Sequence, residues 1–345
     1  MIEEKSEMKT HETKMKERKV FWEKLCSLPG TDPQSEGKEL YETLRYPKYL
    51  FRYRPVTMKS LEALRTNKLY FSSANYYDDP FDTFLFIDIE RIKNEYLNRD
   101  EDKLASVLER VKPILSLTMT PDKVAEFTVE KVQEILSPEW MSKFLSSTLA
   151  LRDQLKKDAW SVCFSENGFN EALWLKYADQ HKGFALIYDL ENVDNLLCGQ
   201  YDKCANCGIR QYGTPLYPIY YSDKPYDATN FAMLIVLRML EENVRLPLGQ
   251  MLHFSLGTGI WEMERTTLIK KKCHEYDEEW RLIIGCPMKP PIMREWRPSG
   301  IILGLRMDAA EENRVVSMAQ EAGIKNIYKS FINEKNELDA KAIML

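Results

Sequence analysis

The segment YLFRYRPVTMKSLEALRTNKLYFSS (49–73) decides how the chain reads as a fold. Its first six residues alternate, with Tyr49, Phe51 and Tyr53 on one face and Leu50, Arg52 and Arg54 on the other, the period-two pattern of a strand. A short helix carrying Leu61 and Leu64 follows and closes at Asn67, a residue that tolerates the left-handed conformation ending a helix. LYFSS (69–73) then predicts a second strand. The segment is therefore a strand, a helix of two or three turns and a strand.

Outward from this unit, residues 8–28 predict a helix with Phe21, Leu25 and Leu28 on one face, stopped by Pro29-Gly30. A polar loop and a short helix, Leu40 to Arg45, lead to Pro47, so residues 1–47 read as an N-terminal helical extension to a domain spanning 48–345. Residues 88–156 are charged and helix-prone, with Pro113, Pro121 and Pro138 as punctuation, and predict a helical insertion. AWSVCFS (159–165) and GFALIYD (183–189) predict strands on either side of the amphipathic stretch EALWLKYADQH. Leu173, Trp174, Tyr177, Ala178 and His181 share one stripe of that helix. Cys198 to Gly208 reads as an irregular loop, with broken strand pieces around Pro215 and Pro218. Residues 226–244 and roughly 248–268 predict helices. EWRLIIG (279–285) and IILGL (301–305) are strong strand signals, a helix runs from about Asp308 to Ala322, and strand pieces close the chain near 326–331. Strands so irregularly spaced do not form a βαβ ladder. The fold class is α+β, with a central antiparallel or mixed twisted sheet.

With 345 residues, 44% hydrophobic and 11% aromatic, the chain has ample material for a core. Its net charge of −5 lacks the basic excess of a phosphate-neutralising protein, which disfavours nucleic acid as a partner but leaves a local basic patch open. No apolar run of 18 residues occurs and the first residues are charged, so neither a membrane span nor a signal peptide is expected. Seven irregularly spaced cysteines fit a reducing compartment, the cytoplasm.

Five polar clusters are candidates for chemistry. Arg52 and Arg54 share a strand face and suit bidentate phosphate recognition, or one exposed arginine beside a structural ion pair. In Asp277-Glu278-Glu279-Trp280-Arg281 a strand would turn Asp277, Glu279 and Arg281 one way and Trp280 into the core. Two carboxylates on one face can divide orientation and charge stabilisation; the plain structural alternative is an acidic edge paired to Lys270–Lys272. Asp78, Asp79 and Asp82 surround a proline turn and suit a hard cation or, more simply, helix capping. His181 ends the aromatic stripe of Trp174 and Tyr177, where it is either a core histidine or a group reaching a cleft. Cys198, Cys204 and Cys207 carry the Cys-x2-Cys-Gly turn of a structural zinc site whose fourth ligand is unassigned. Walker, HExxH and nucleophile-elbow motifs are absent from the sequence.

Taken in order, LFRYR (50–54), SLEALRTNKLYFSS (60–73), DDPFD (78–82), CFSEN (163–167), WLKYADQHKGFALIYD (174–189), YDEEWRLI (276–283) and IILGLR (301–306) resemble the bacterial family catalogued as domain of unknown function 2971. The chain departs from that family's pattern at Asp78, where Asn is usual, and at Asp277, where Glu is usual. Some relatives resemble abortive-infection, phage-defence proteins. A weaker resemblance joins the strand-Arg, short helix, strand-Phe-Ser-Ser and late acid-x-Glu strand to the ADP-ribosyltransferase superfamily. It implies NAD as a substrate, Arg54 (with Arg52) on its phosphates, Ser72 or Ser73 on a ribose and Glu279 polarising the nicotinamide ribose. Asp277 would face a macromolecular acceptor, and Tyr70 or Tyr77 would stack on nicotinamide, with His181 near the cofactor. Two other readings stand beside it. One is a metal-dependent nuclease or phosphohydrolase built on Asp78, Asp79, Asp82 and Glu279. The other is a non-catalytic sensor or binding subunit of a defence complex. A toxin-like effector of this kind implies a protein partner or a neutralising antitoxin.

Overall fold

The computed structural model describes residues 9–92, 101–117, 119–135, 137–190, 216–244, 258–284 and 293–343. Along the chain the elements are α1 (His11–Ser27), α2 (Pro33–Thr43), β1 (Tyr49–Arg54), α3 (Met58–Arg65), β2 (Lys68–Tyr70), β3 (Ser72–Ser73), α4 (Ile89–Ile92), α5 (Glu101–Leu115), α6 (Pro121–Ala125), α7 (Val129–Ile135), α8 (Pro138–Asp158), β4 (Trp160–Ser165), α9 (Glu171–Tyr177) and β5 (Phe184–Asp189). They continue with β6 (Leu216–Pro218), β7 (Tyr220–Tyr221), α10 (Thr229–Val244), α11 (Glu262–Thr267), β8 (Ile269–Lys270), β9 (Glu279–Ile284), β10 (Met293–Glu295), β11 (Gly300–Leu303), α12 (Ala309–Glu321), β12 (Asn326–Ile332) and β13 (Leu338–Ala342).

The fold is α+β. Its main sheet runs β13-β12-β11-β5-β1-β4-β9-β6, with β3 added to β4. Every pairing in it is antiparallel except β11 with β12. The alternation read in YLFRYR holds. Leu50 joins the main core with Leu61 and Leu64 of α3, while Tyr53 packs on the opposite side against Leu173 and Trp174 of α9. β5 divides the same way, sending Phe184, Leu186 and Tyr188 to the first core and Ala185 and Ile187 to the second. β2 leaves this sheet and pairs with β10 instead. The insertion forms a helical cluster of its own, in which Phe144 and Leu151 of α8 pack with Ala232, Met233 and Val236 of α10. Among the described residues no helix is long and apolar enough to cross a membrane.

The N-terminal helices are integral to the main core. Phe21, Trp22 and Leu25 of α1, with Leu40 of α2, belong to it, and Trp22 stacks on Tyr220 at 5.1 Å between centroids. The loop between α1 and α2 is built on one buried carboxylate. Glu36 accepts the backbone N–H groups of Gly30 (2.8 Å), Thr31 (2.8 Å) and Asp32 (2.9 Å) and the indole N–H of Trp261 (2.6 Å). Gly30 is required there, because its φ of +74° and its contact with Gly259 leave no room for a Cβ. Burial alone would raise the Glu36 pKa, but the donors outweigh it and hold it down to about 2.

A carboxylate with a depressed folded pKa contributes stability that is complete above its unfolded pKa and lost as pH falls. Glu36 is therefore expected to add acid lability between its ordinary value of 4.5 and about 2. Glu36→Ala, which leaves buried N–H groups unpaired, is expected to cost about 3 kcal/mol at pH 7 in urea unfolding. A loss below about 0.5 kcal/mol, or an acid transition identical to wild type, would contradict this role.

Candidate functional site

A cavity of about 370 Å³ opens where β1 and β4 part. β1 shares six registered pairs with β5 but only one, Phe51 opposite Ser165, with β4. At the other end of β4, Ser161 and Trp160 pair with Ser72 and Ser73 of β3. Between these two attachments the edge of β4 at Cys163 faces the cavity. Residues of both parities from β1 and β4 therefore line one space, which an unbroken pair of strands would not allow.

The β1 wall is cationic. Arg52 donates from Nη2 to the Tyr70 carbonyl at 3.3 Å; among the described residues neither Arg52 nor Arg54 meets a carboxylate, and Arg54 has no hydrogen-bond partner. Burial lowers the pKa of both guanidiniums, and repulsion from Arg52 adds to the effect at Arg54, pulled down to about 10. Both remain charged at neutral pH. Gly183 abuts the Arg54 carbonyl so closely that a side chain there has no space, which fixes the end of β1 against the α9–β5 corner.

A buried ion network forms another part of the lining. Lys270 Nζ lies 2.7 Å from Asp277 Oδ2, 3.0 Å from Glu279 Oε2 and 3.6 Å from Asp82 Oδ2. Arg281 donates through Nε to Glu279 Oε1 at 2.6 Å and through Nη2 to Asp82 Oδ2 at 2.6 Å. Its Nη1 reaches the Thr267 carbonyl at 2.8 Å. The network holds three carboxylates against two cations, so it carries a net negative charge when fully ionised. Burial would raise the pKa of Glu279, but Arg281 and Lys270 outweigh it and keep the carboxyl ionised. Asp277 is shifted up, burial prevailing over Lys270. Burial and the nearby Glu279 charge push the Cys163 thiol up to about 12, leaving it a poor nucleophile.

Alternation along β9 puts Glu279 and Arg281 on one side and Trp280 in the core, as read from the sequence. Asp277 reaches the same lysine by another route. Residues 272–277 form a 3₁₀ turn, and Glu278 follows in the left-handed region at φ 44° before the strand begins. This turn sends Glu278 to α1, where Lys14 Nζ (2.6 Å) and His11 Nδ1 (3.1 Å) meet it. Arg18 completes the clamp, with Nη1 on the Glu279 carbonyl at 2.6 Å and Nη2 on Glu166 at 2.5 Å. The spacing of His11, Lys14 and Arg18 on one helix face was visible in the sequence, but their carboxylate partners lie far along the chain.

Arg52, Arg54, Ser72, Tyr77, Asp277 and Glu279 all line the cavity, as do Asp78, Asp79 and Asp82. The three aspartates part company there. Asp78 is exposed beside Lys176 at 3.6 Å, Asp79 caps its turn by accepting the Phe81 N–H and faces His274 at 3.3 Å, and Asp82 enters the ion network. Tyr77 lies under the Arg281 guanidinium at 5.3 Å and bonds the Ser161 hydroxyl. Three expected residues do not line it. Tyr70 belongs to the small β2–β10 sheet, and Ser73 caps a 3₁₀ turn while donating to the Lys157 carbonyl at 2.9 Å. His181 falls beyond the end of α9 at φ 67°, where its ring stacks on Trp174 at 5.8 Å. The three positive-φ residues Asp179 to His181 break the helical stripe predicted to carry it. Cys198, Cys204 and Cys207 lie outside the described residues. Lys270 was anticipated only as the structural partner of the acids, and it takes that place. Comparison with protein-family models, curated proteins and solved structures finds no significant match.

Removing the central cation is expected to be costly. Lys270→Met leaves three buried carboxylates with Arg281 alone of the network's two cations and should lower stability by about 3–5 kcal/mol in urea unfolding, whereas the exposed Lys272→Met should change it by less than about 0.5 kcal/mol. Equal small effects from both would remove Lys270 from the centre of the site.

Proposed function

We propose that the cavity binds NAD and cleaves its nicotinamide–ribose bond, passing ADP-ribose to a macromolecular acceptor or to water. One observation carries the reading: two arginines that meet no carboxylate among the described residues and a net-negative acid network line one cavity. The arginines suit a diphosphate, which two guanidiniums neutralise and orient. The scissile bond is the one from the ribose C1′ to the ring nitrogen, whose electron pair leaves with nicotinamide. Positive charge develops on the sugar as it breaks, and Glu279, held ionised, is the carboxylate to offset it. Asp277, with its raised pKa, suits the proton that the attacking acceptor gives up on bonding to C1′. The resemblance to ADP-ribosyltransferases assigns Arg54 and Glu279 the same parts. The resemblance to abortive-infection proteins supports a cytoplasmic, bacterial anti-phage effector held in check by a protein partner.

The metal-dependent alternative fits these side chains less well. Oxygens of Asp82 and Glu279 that a divalent ion would take are bound by Arg281 and Lys270. Among the described residues no group of three or more His, Cys, Asp or Glu is arranged around a metal position. A different second reading has a specific observation in its favour. Because both Glu279 oxygens are engaged, the pocket also suits a binding module that holds a nucleotide without turning it over.

Purified protein incubated with labelled NAD, alone and with bacterial lysate, separates these two. Wild type is expected to release nicotinamide or label an acceptor, and folded Glu279→Gln and Arg54→Ala to lose about 10²-fold or more of that rate. NAD or ADP-ribose binding without any turnover by wild type would favour the binding module. Turnover unchanged in Glu279→Gln would overturn the assignment of the carboxylate.

A further inference from the structure

We infer that Tyr76 and Tyr177 form an aromatic rim that receives the flat base of a nucleotide whose phosphates rest on Arg52 and Arg54. The inference rests on the anion-binding half of the proposed function and adds where the base sits. Exposed aromatic rings are ordinary on protein surfaces when scattered. These two are not scattered, since both line the cavity that holds the arginines, with Tyr76 78% exposed and Tyr177 37% exposed.

Both rings stand on fixed backbone. Tyr76 ends the 3₁₀ turn Ala74–Tyr76, which Ser73 caps by accepting the Asn75 N–H at 3.2 Å. The turn is tied to the end of α8 by the Ala74 N–H on the Ala159 carbonyl at 2.8 Å. Ala74 itself is buried. Tyr76 therefore presents a large ring to solvent from a rigid mount, and among the described residues no ring, cation or hydrogen-bond partner covers it. Tyr177 closes α9, anchored one turn earlier by the fully buried Trp174, and Lys176 Nζ lies 4.9 Å from its ring centroid. A tyrosine ring loses little conformational freedom on binding and stacks on any base, and base–aromatic stacking contributes about five- to hundredfold in affinity. Arginines within the cavity and tyrosines at its exposed edge together match a molecule with a charged diphosphate at one point and a planar ring at another. Inorganic pyrophosphate offers only the first.

Binding of ADP, ribose 5-phosphate and pyrophosphate to the full chain, measured by calorimetry, tests this. ADP is expected to bind at least about tenfold tighter than either of the other two. Tyr76→Ala and Tyr177→Ala should each weaken ADP about fivefold or more and leave pyrophosphate unchanged. Tyr76→Phe should keep wild-type ADP affinity, and Arg54→Ala should weaken ADP and pyrophosphate alike. Equal affinity for ADP and pyrophosphate, alanine variants that bind ADP as wild type does, or failure of every probe to bind would overturn the inference. Tyrosine-dependent ADP binding in a protein that never consumes NAD would sink the transferase reading alone.

Discussion

A single ammonium organises the site. Lys270 is buried among Asp82, Asp277 and Glu279, carboxylates drawn from three separate turns or strands. Burial alone would lower its pKa; the three negative charges outweigh that and raise it, so it stays protonated. Its position is set by backbone pairing, since β8 runs parallel to β7 and the Ser222 N–H bonds the Lys270 carbonyl at 2.9 Å. Without that charge the three acids would have only Arg281 of the network's two cations to offset them. With it, Glu279 is fixed as a carboxylate facing the cavity and Arg281 is left to bind both Glu279 and Asp82.

The contrast between the walls follows from this arrangement. The acids of the network are paired with cations brought to them, whereas Arg52 and Arg54 meet no acid among the described residues. Two half-buried guanidiniums that meet no acid among the described residues are electrostatically unfavourable. Under the proposed function, an anion on the β1 wall would relieve that cost and so stabilise the folded chain. The parting of β1 from β4 creates the room, because β3 takes over the edge of β4 that β1 leaves.

Much of the sheet was legible because its strands obey period two: β1, β4, β5, β9, β11 and β12 fall where alternation or a continuous apolar run predicts them. That Arg54 and Glu279 open onto one cavity was expected from the sequence, and both line it. What escaped was set by long-range geometry. LYFSS reads as one strand, yet Lys68–Tyr70 follows β10 and Ser72–Ser73 follows β4, which puts Tyr70 outside the cavity and leaves Ser72 within it. Asp277 and Glu279 converge through a left-handed Glu278, a conformation no glycine announced, held by His11 and Lys14 from a helix read as an extension. His181 left its stripe because three consecutive positive-φ residues end α9 early, and local hydrophobic pattern does not register such a turn. Tyr76 has no pattern at all, being one exposed ring in a short turn.

A crystal structure with ADP-ribose bound tests the central claim, that both walls serve one ligand, most directly. The expected result places the diphosphate oxygens within hydrogen-bonding distance of Arg52 and Arg54, with the ribose that bore nicotinamide turned toward Glu279. A ligand seated away from this cavity, or one held with its diphosphate against the Asp82–Asp277–Glu279 wall, would contradict it.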